Sequence, residues 1–207
     1  MVRVTLTLIG ANVVVFLLQI AFAGFTPMFA LAPDLAFSGA WWQFFTYMFL
    51  HGGPMHIAIN MFILFLFGEI VERALGWFRY LTLYIVSGLG SAVIYIILTF
   101  LLDPSTIGTQ MLGASGAVFG IMAAYGLMFP KEKIWVPIFF VPLPAFTVVI
   151  LFAILEFALG LFGLEQGIAN FGHLGGILTG AFMTWYWKST TRPRNVHDRR
   201  NFEFYWE

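Results

Sequence analysis

Long apolar runs dominate this sequence and constrain its fold more than any other feature. A helix needs about 20 consecutive apolar residues to cross the hydrocarbon core of a bilayer. Six runs approach this length, at residues 4–23, 55–75, 78–101, 114–129, 137–160 and 168–188. Charged residues make up only 10% of the chain, against roughly a quarter in a soluble domain. The sequence therefore predicts an all-α membrane protein, a bundle of six transmembrane helices.

The basic residues all fall on one side of this predicted bundle. With six crossings, that side holds every Lys and Arg: Arg3, Arg73, Arg79, Lys131, Lys133, Lys188, Arg192, Arg194, Arg199 and Arg200. The loops on the other side contain acidic residues and no Lys or Arg. Because positive loops stay in the cytoplasm, we expect both termini to be cytoplasmic. The absence of a transit-type leader before the first run favours a prokaryotic plasma membrane.

The same map divides the chain into two parts. Residues 1–188 form the predicted six-helix membrane domain, and residues 189–207 form a short basic and aromatic tail on the cytoplasmic side. No cysteine is present, which excludes disulfides, thiolate metal sites and a Cys nucleophile. The formal net charge of zero gives no reason to expect a nucleic-acid partner.

Polar side chains cluster where the second, fourth and sixth runs start, on the outer side. His56 and Asn60 begin the second run, Ser115 the fourth and His173 the sixth. The three runs point the same way, so these groups share one depth. The fourth run has about 16 residues, or about 24 Å as a helix, against a hydrocarbon core of about 30 Å. Ser115 is therefore expected at the bottom of a water-filled depression.

Small residues repeat along two of these runs and predict that they touch. Their spacing is four residues in both runs: Gly116, Gly120 and Ala124 in the fourth, and Gly172, Gly176 and Gly180 in the sixth. Such stripes let membrane helices approach backbone to backbone. Contact between the two runs would bring Ser115 beside His173. A lone membrane serine usually bonds its own backbone, whereas an intramembrane histidine is by default a functional candidate. The residues alone leave a catalytic and a proton-handling site open.

Three motifs, taken together and in order, resemble the rhomboid family of intramembrane serine proteases. They are His56-Ile57-Ala58-Ile59-Asn60, then Gly113-Ala114-Ser115-Gly116, then Gly172-His173 followed by Gly176 and Gly180. The resemblance covers the whole six-helix core and implies a rhomboid-like fold whose first loop is embedded in the outer leaflet. It also implies a protease without metal or cofactor that cuts transmembrane proteins near the outer end of their helix, with lateral entry past the fifth run.

The resemblance assigns roles to individual residues. Ser115 would be the nucleophile and His173 the base, while His56, Asn60 and the backbone N–H of Ser115 would hold the oxyanion. Gly113, Gly116, Gly120, Gly172, Gly176 and Gly180 would support helix packing, and Phe119 stands where the family often has a tyrosine packed on the histidine. Gln43, after Trp42, replaces an arginine frequent in the family.

No third member of a triad is evident from the sequence. Asp34, Asp103 and Glu165 lie in predicted loops, and Glu156 lies near the outer end of the fifth run without a motif to place it. We therefore expect a Ser-His dyad. His51 and His56 are not expected to bind a metal, because no acidic or thiolate partner accompanies them.

Two other classes of function remain open. One is a non-catalytic rhomboid-like protein that binds or retrotranslocates membrane clients. The other is a small transporter that uses His56, Asn60 and His173 as a polar pathway. The second is disfavoured because the polar groups stop near one face of the predicted bundle. Transmembrane proteins and the lipid bilayer are the expected partners, and the sequence fixes no oligomeric state.

Overall fold

The computed structural model describes residues 3–136, 141–162 and 168–190, and these residues contain nine α-helices and one two-stranded antiparallel sheet. The helices are α1 Val4–Ala21, α2 Phe25–Phe29, α3 Pro33–Phe37, α4 Gln43–Thr46, α5 Pro54–Leu75, α6 Trp77–Leu102, α7 Ser115–Met128, α8 Ala145–Leu161 and α9 Ile168–Thr190. The strands are β1 Lys133–Val136 and β2 Val141–Pro144. Single 3₁₀ turns follow α4 and α6, at Tyr47–Phe49 and Pro104–Thr106.

Helices α1, α5, α6, α7, α8 and α9 occupy the six predicted runs. Within the described residues, three of them, α1, α5 and α6, are long and apolar enough to cross a bilayer, while α7 and α8 are apolar but shorter. Only 17% of the most apolar stretch of α1 is buried inside the bundle, so large apolar side chains such as Ile20 face outward. That pattern suits a lipid environment. The count of six crossings stays a prediction.

The fifth helix starts later than the sequence predicts. The expected run begins at residue 137, but α8 begins at Ala145, after strand β2 has paired antiparallel with β1. The reason lies in Pro142 and Pro144, which lack an N–H donor and disfavour helical geometry in the residue before each of them. The apolar count of this segment is high, yet residues 141–144 form a strand and not the start of the helix. Residues 137–140 lie outside the described part of the chain.

Helices α7 and α9 meet through glycines. A Cβ atom at Gly176 would overlap the carbonyl oxygen of Gly116, and one at Gly180 would overlap the carbonyl oxygen of Gly120. The two backbones are therefore in direct contact, as small-residue stripes allow in membranes. Ten of the fourteen residues of α7 are buried, which makes it the central helix of the bundle.

Helix α6 closes the other side of α7 with small polar side chains. Ser91 packs where a side chain on Gly116 would lie, and Ser87 does the same at Gly120. Both serines are fully buried. The core of the bundle is thus a layer of three helices, α6, α7 and α9, in which almost no side-chain volume separates the backbones.

Glu72, near the end of α5, caps the start of α1. Its carboxylate accepts hydrogen bonds from the backbone N–H groups of Arg3, Val4 and Thr5 at 2.8–3.0 Å. It also accepts one from the Thr5 hydroxyl at 2.7 Å. The first N–H groups of a helix have no partner within it, and a negative charge there also interacts favourably with the positive end of the helix dipole. One side chain therefore satisfies the start of α1 and joins it to α5.

The two ends of the bundle differ in chemistry. At one end, Glu72 caps α1, and the ammonium group of Lys188 donates to the carbonyl oxygen of Leu127, 2.9 Å away, near the end of α7. A cation there complements the negative end of the helix dipole. The opposite end holds Ser115 and His173. The basic side predicted from the sequence and the polar site thus lie at opposite ends.

The segment between α1 and α5 folds back on the rest of the molecule at the polar end. Gln43, only 1% exposed, accepts a hydrogen bond from the Ala32 N–H at 3.1 Å and donates to the carbonyl oxygen of Met28 at 3.3 Å. Gln43 therefore bonds the loop's own backbone, a role its neutral amide fills without burying a charge. Embedding of this loop in the outer leaflet stays a prediction.

Removing the cap on α1 should destabilise the protein. Glu72→Ala leaves several N–H groups without an acceptor, so we expect the free energy of unfolding to fall by roughly 2–3 kcal/mol. The measurement is unfolding in mixed micelles of a detergent and dodecyl sulfate, with circular dichroism as the readout. Glu69→Ala is the control, because Glu69 forms only a surface ion pair with Arg73 at 3.1 Å and should cost under about 0.5 kcal/mol. Equal losses in both variants would contradict the capping role.

A methyl group between α7 and α9 should force them apart. Gly176→Ala directs its Cβ at the rigid backbone of Gly116, so we expect the free energy of unfolding to fall by about 2–3 kcal/mol. Gly10→Ala is the matched control, since nothing lies within 4 Å of a Cβ there; it should change stability by less than about 1 kcal/mol. The same unfolding assay applies. A Gly176→Ala protein as stable as the control would refute the backbone contact.

Candidate active site

Ser115 is the first residue of α7, and the chain just before it is tightly held. Met111 exchanges two backbone hydrogen bonds with Leu31, at 2.8 and 2.9 Å, and the Gly113 N–H donates to the carbonyl oxygen of Tyr47 at 3.0 Å. Gly113 has φ +136°, a conformation that favours glycine. The 14 residues of α7 give about 21 Å of helix. That length is shorter than a hydrocarbon core of about 30 Å.

Ser115 and His173 are in hydrogen-bond contact. The serine Oγ lies 2.7 Å from the imidazole Nε2, although 58 positions separate the two residues in sequence. Ser115 is on α7 and His173 is on α9, so the glycine contact between these helices sets their separation. Both side chains are half-buried. A serine hydroxyl bonded to an imidazole is the arrangement that activates a serine nucleophile.

A carboxylate lies on the other side of the imidazole. Oε2 of Glu156, on α8, is 2.8 Å from Nδ1 of His173. Glu156 is buried and is the only Asp, Glu, Lys or Arg in α8. The chain from Oγ through the imidazole to the carboxylate is thus continuous and joins three helices.

Apolar and small residues set the orientation of the imidazole. The rings of Phe119 and His173 have centroids 5.0 Å apart and an interplanar angle of 37°, a tilted stack. The Phe119 ring also contacts Phe152 edge-on, at 6.0 Å. A Cβ atom at Gly172 would lie 3.2 Å from the Ser91 hydroxyl and 3.4 Å from the Met111 sulfur. The residue before His173 therefore fits closely against α6 and the loop before α7.

His56 lies across Gly113 from Ser115. A Cβ at Gly113 would be 3.1 Å from Nε2 of His56 and 3.4 Å from Oγ of Ser115. The N–H of Gly52 donates to Nδ1 of His56 at 3.2 Å, so Nδ1 carries a lone pair and the neutral ring holds its proton on Nε2. That nitrogen, on the Gly113 side of the ring, can donate a hydrogen bond into the space beside Ser115.

Asn60 is buried one turn further along α5. Its side-chain amide donates to the backbone carbonyl oxygen of His56 at 2.9 Å, which uses one of its two N–H donors. Among the described residues, Asn60 makes no hydrogen bond to Ser115 or to His173. The structure therefore brings Ser115, His173 and His56 to one place, whereas the Asn60 amide bonds the backbone of its own helix.

His51 packs edge-on against His56, with ring centroids 5.2 Å apart. It lies in the loop before α5 and is only 2% exposed. Desolvation by burial, and secondarily the neighbouring His56, lower the pKa of His51 from 6.5 to about 4. Across the described part of the chain, no group of three or more His, Cys, Asp or Glu is placed to hold a metal ion.

The free energy of unfolding should fall as the pH is lowered, because of His51. Above pH 6.5 its ring is neutral in both states, but between pH 6.5 and pH 4 the unfolded chain binds a proton that the folded protein does not. We expect a loss of about 3 kcal/mol of unfolding free energy by pH 4 from this group. His51→Asn removes the ring while keeping the backbone bonds between this residue and Gln19. Unfolding at pH 7 and pH 4 checks this, and equal losses with and without the ring would contradict it.

No role for Glu156 was predicted from the sequence, although the sequence contains a signal for one. A single ionisable residue in an otherwise apolar membrane helix is a functional candidate on energetic grounds alone. Its position in the chain does not identify a partner, however. The partner depends on how α8 is rotated and how far it is shifted against α9, and neither is encoded in a local motif.

Comparison with known proteins bears on this site. The family profile described as "Rhomboid domain" matches residues 38–189, which is most of the chain and includes Ser115 and His173. Rhomboid protease AarA of Providencia stuartii is 31% identical over an aligned length of 207 residues. The match covers 88% of this chain and 72% of that protein. Rhomboid protease GlpG of Haemophilus influenzae is 29% identical over 139 residues, covering 67% of this chain and 66% of that protein.

A fungal relative is longer. Rhomboid-type serine protease 2 of Emericella nidulans is 32% identical over 156 residues, which cover 72% of this chain but only 26% of that protein. The apolar helices and the domain match together make this chain a multi-pass integral membrane protein. On the extent of the domain match and the likeness to AarA, the chain belongs to the rhomboid family.

Proposed function

We propose that this protein is an intramembrane serine endopeptidase in which Ser115 is the nucleophile and His173 the general base. The observation that carries the proposal is the 2.7 Å contact between Oγ of Ser115 and Nε2 of His173. Two membrane helices rarely bring a hydroxyl and an imidazole together at one end of a bundle without a chemical reason. The relatives named as rhomboid proteases support the protease activity in this proposal.

The proposed reaction follows from the chemistry of this pair. Nε2 of His173 removes the hydroxyl proton as Oγ of Ser115 attacks the carbonyl carbon of the peptide bond. The imidazolium then gives that proton to the departing amine, and the C–N bond breaks to leave an ester on Ser115. Water, activated by the same imidazole, attacks the ester, so that the second product is a carboxylate and the serine is restored.

The oxyanion of the tetrahedral intermediate needs hydrogen-bond donors beside Ser115. The backbone N–H of Ser115 lies at the start of α7, where helix N–H groups have no partner within the helix. The Nε2–H of His56 faces the same space, and the second N–H of the Asn60 amide, which makes no hydrogen bond among the described residues, is a third donor once substrate is bound. We assign the oxyanion site to these groups. His56 would donate directly to the oxyanion, and Asn60 would be a secondary donor.

The substrate class follows from the depth of the site. Because α7 is short and Ser115 lies at its start, a peptide bond reaches the serine only a few ångströms below the membrane surface. The proposed substrates are transmembrane proteins cut near the outer end of their helix, after lateral entry past α8. A helix hides its carbonyl groups in hydrogen bonds, so the substrate must unwind locally, which glycine, proline or polar residues near the cut would favour.

The orientation follows from the charge pattern. The basic end of the bundle, with Arg3 and Lys188, would face the cytoplasm, and the Ser115 end would open to the outer side of a prokaryotic plasma membrane. Residues 1–188 would then form the membrane domain and residues 189–207 a cytoplasmic tail. Residues 191–207 of that tail lie outside the described part of the chain.

The test is labelling of the purified protein by a fluorophosphonate probe, read by intact mass, beside cleavage of a transmembrane substrate in lipid vesicles. We expect one adduct in the unaltered protein, and a loss of cleavage of at least about 10³-fold in Ser115→Ala and in His173→Ala. Ser105→Ala is the control, since Ser105 is exposed in the loop before α7; it should label and cleave normally.

Other results would identify a different function. If the folded protein neither labels nor cleaves, yet retains transmembrane proteins in a co-purification assay, it is a client-binding member of the family. Solute or ion flux in proteoliposomes, abolished in His173→Ala, would instead support the polar-pathway hypothesis. A single adduct that disappears in both site variants would exclude each of these as the main activity.

A further inference from the structure

Glu156 is an energetically costly residue with one evident partner. A carboxylate in an apolar membrane helix is expensive to bury and is retained there when it pairs with another polar group. Its hydrogen bond to His173, at 2.8 Å, is the one that Glu156 makes among the described residues. Its interaction is therefore directed at one ring nitrogen.

This hydrogen bond determines which nitrogen of His173 carries the proton. An ionised carboxylate only accepts hydrogen bonds, so Nδ1 must be the donor. In the neutral ring the lone pair is then on Nε2, which faces the hydroxyl of Ser115 at 2.7 Å. The opposite tautomer would place a proton on Nε2 and prevent that nitrogen from removing the serine proton.

We propose that Glu156 is a positioning residue for the hydrolytic reaction: it holds His173 in the tautomer and orientation that accept the proton of Ser115, and its charge stabilises the imidazolium that forms. The inference rests on the proposed function, because it concerns the same reaction. Among the described residues Glu156 makes no hydrogen bond to Ser115, so it would act only through the imidazole. The site is then a Ser-His-Glu triad, with Ser115 on α7, His173 on α9 and Glu156 on α8.

The two histidines of the site would then have opposite tautomers. In His56, Nδ1 accepts a hydrogen bond from the N–H of Gly52 and the proton is on Nε2. In His173, Nδ1 donates to Glu156 and the lone pair is on Nε2. The first arrangement suits a ring that donates to an oxyanion, and the second suits a ring that acts as a base. A role of Glu156 as a simple tether between α8 and α9 would not require this difference.

The first experiment needs no variant of Glu156. In unaltered protein labelled with ¹⁵N-histidine, the ring nitrogen shifts at neutral pH report which nitrogen is protonated, and His173→Ala and His56→Ala assign the signals. We expect protonated Nδ1 in His173, with its proton shifted far downfield by the carboxylate, and protonated Nε2 in His56. An unprotonated Nδ1 in His173 would overturn the proposal.

The second experiment separates positioning from tethering. Glu156→Gln keeps the size of the side chain and its ability to bond Nδ1 but removes the charge. With a transmembrane substrate in vesicles, we expect kcat to fall by about 10²-fold and KM to stay within twofold of the unaltered protein. Glu156→Asp, which restores the charge on a shorter side chain, should recover part of kcat, and the downfield proton should be lost in Glu156→Gln.

The outcomes distinguish this proposal from the proposed function. If the unaltered protein labels with fluorophosphonate and cleaves, but Glu156→Gln cleaves at the same kcat, the positioning role is wrong and the protease assignment stands. If the unaltered protein neither labels nor cleaves, the protease assignment fails whatever the tautomer of His173. Should Glu156→Gln fail to fold, the nitrogen shifts of the unaltered protein still decide between the two tautomers.

Discussion

The direct contact between the backbones of α7 and α9 is the interaction on which the rest of the site depends. Gly116 and Gly120 face Gly176 and Gly180 with no side chain between them. Because lipid tails are as apolar as the helix surfaces, association here relies on close packing rather than on removal of water. That packing fixes the distance between the two helices, and so between the serine on one and the histidine on the other.

Around this contact, several polar side chains bond specific partners. Gln43 bonds the backbone of the first loop, Glu72 caps α1, and Tyr47 accepts from Gly113 through its carbonyl oxygen and donates to Gly88 through its hydroxyl. In a bilayer an unpaired polar group costs several kcal/mol. A polar residue in such a bundle is therefore informative about structure or chemistry.

Much of this was predictable from the sequence, and the failures have physical reasons. Apolar runs predicted where the main helices lie, and the motifs around His56, Ser115 and His173 predicted the family. The late start of α8 was missed because a count of apolar residues ignores the two prolines in β2. The partners of Glu72 and Glu156 were missed because each depends on the rotation and depth of two helices distant in sequence, which no local pattern encodes.

The arrangement of the site across three helices has a consequence for biosynthesis. Ser115 belongs to α7, whereas its histidine belongs to α9, the last helix described, and Glu156 lies on α8 between them in sequence. While the chain is being inserted, Ser115 would already be in the membrane without His173 beside it. On the proposed function, a nascent or truncated chain would therefore be inert toward neighbouring membrane proteins, because the hydroxyl and the imidazole would meet only when α9 packs against the glycines of α7.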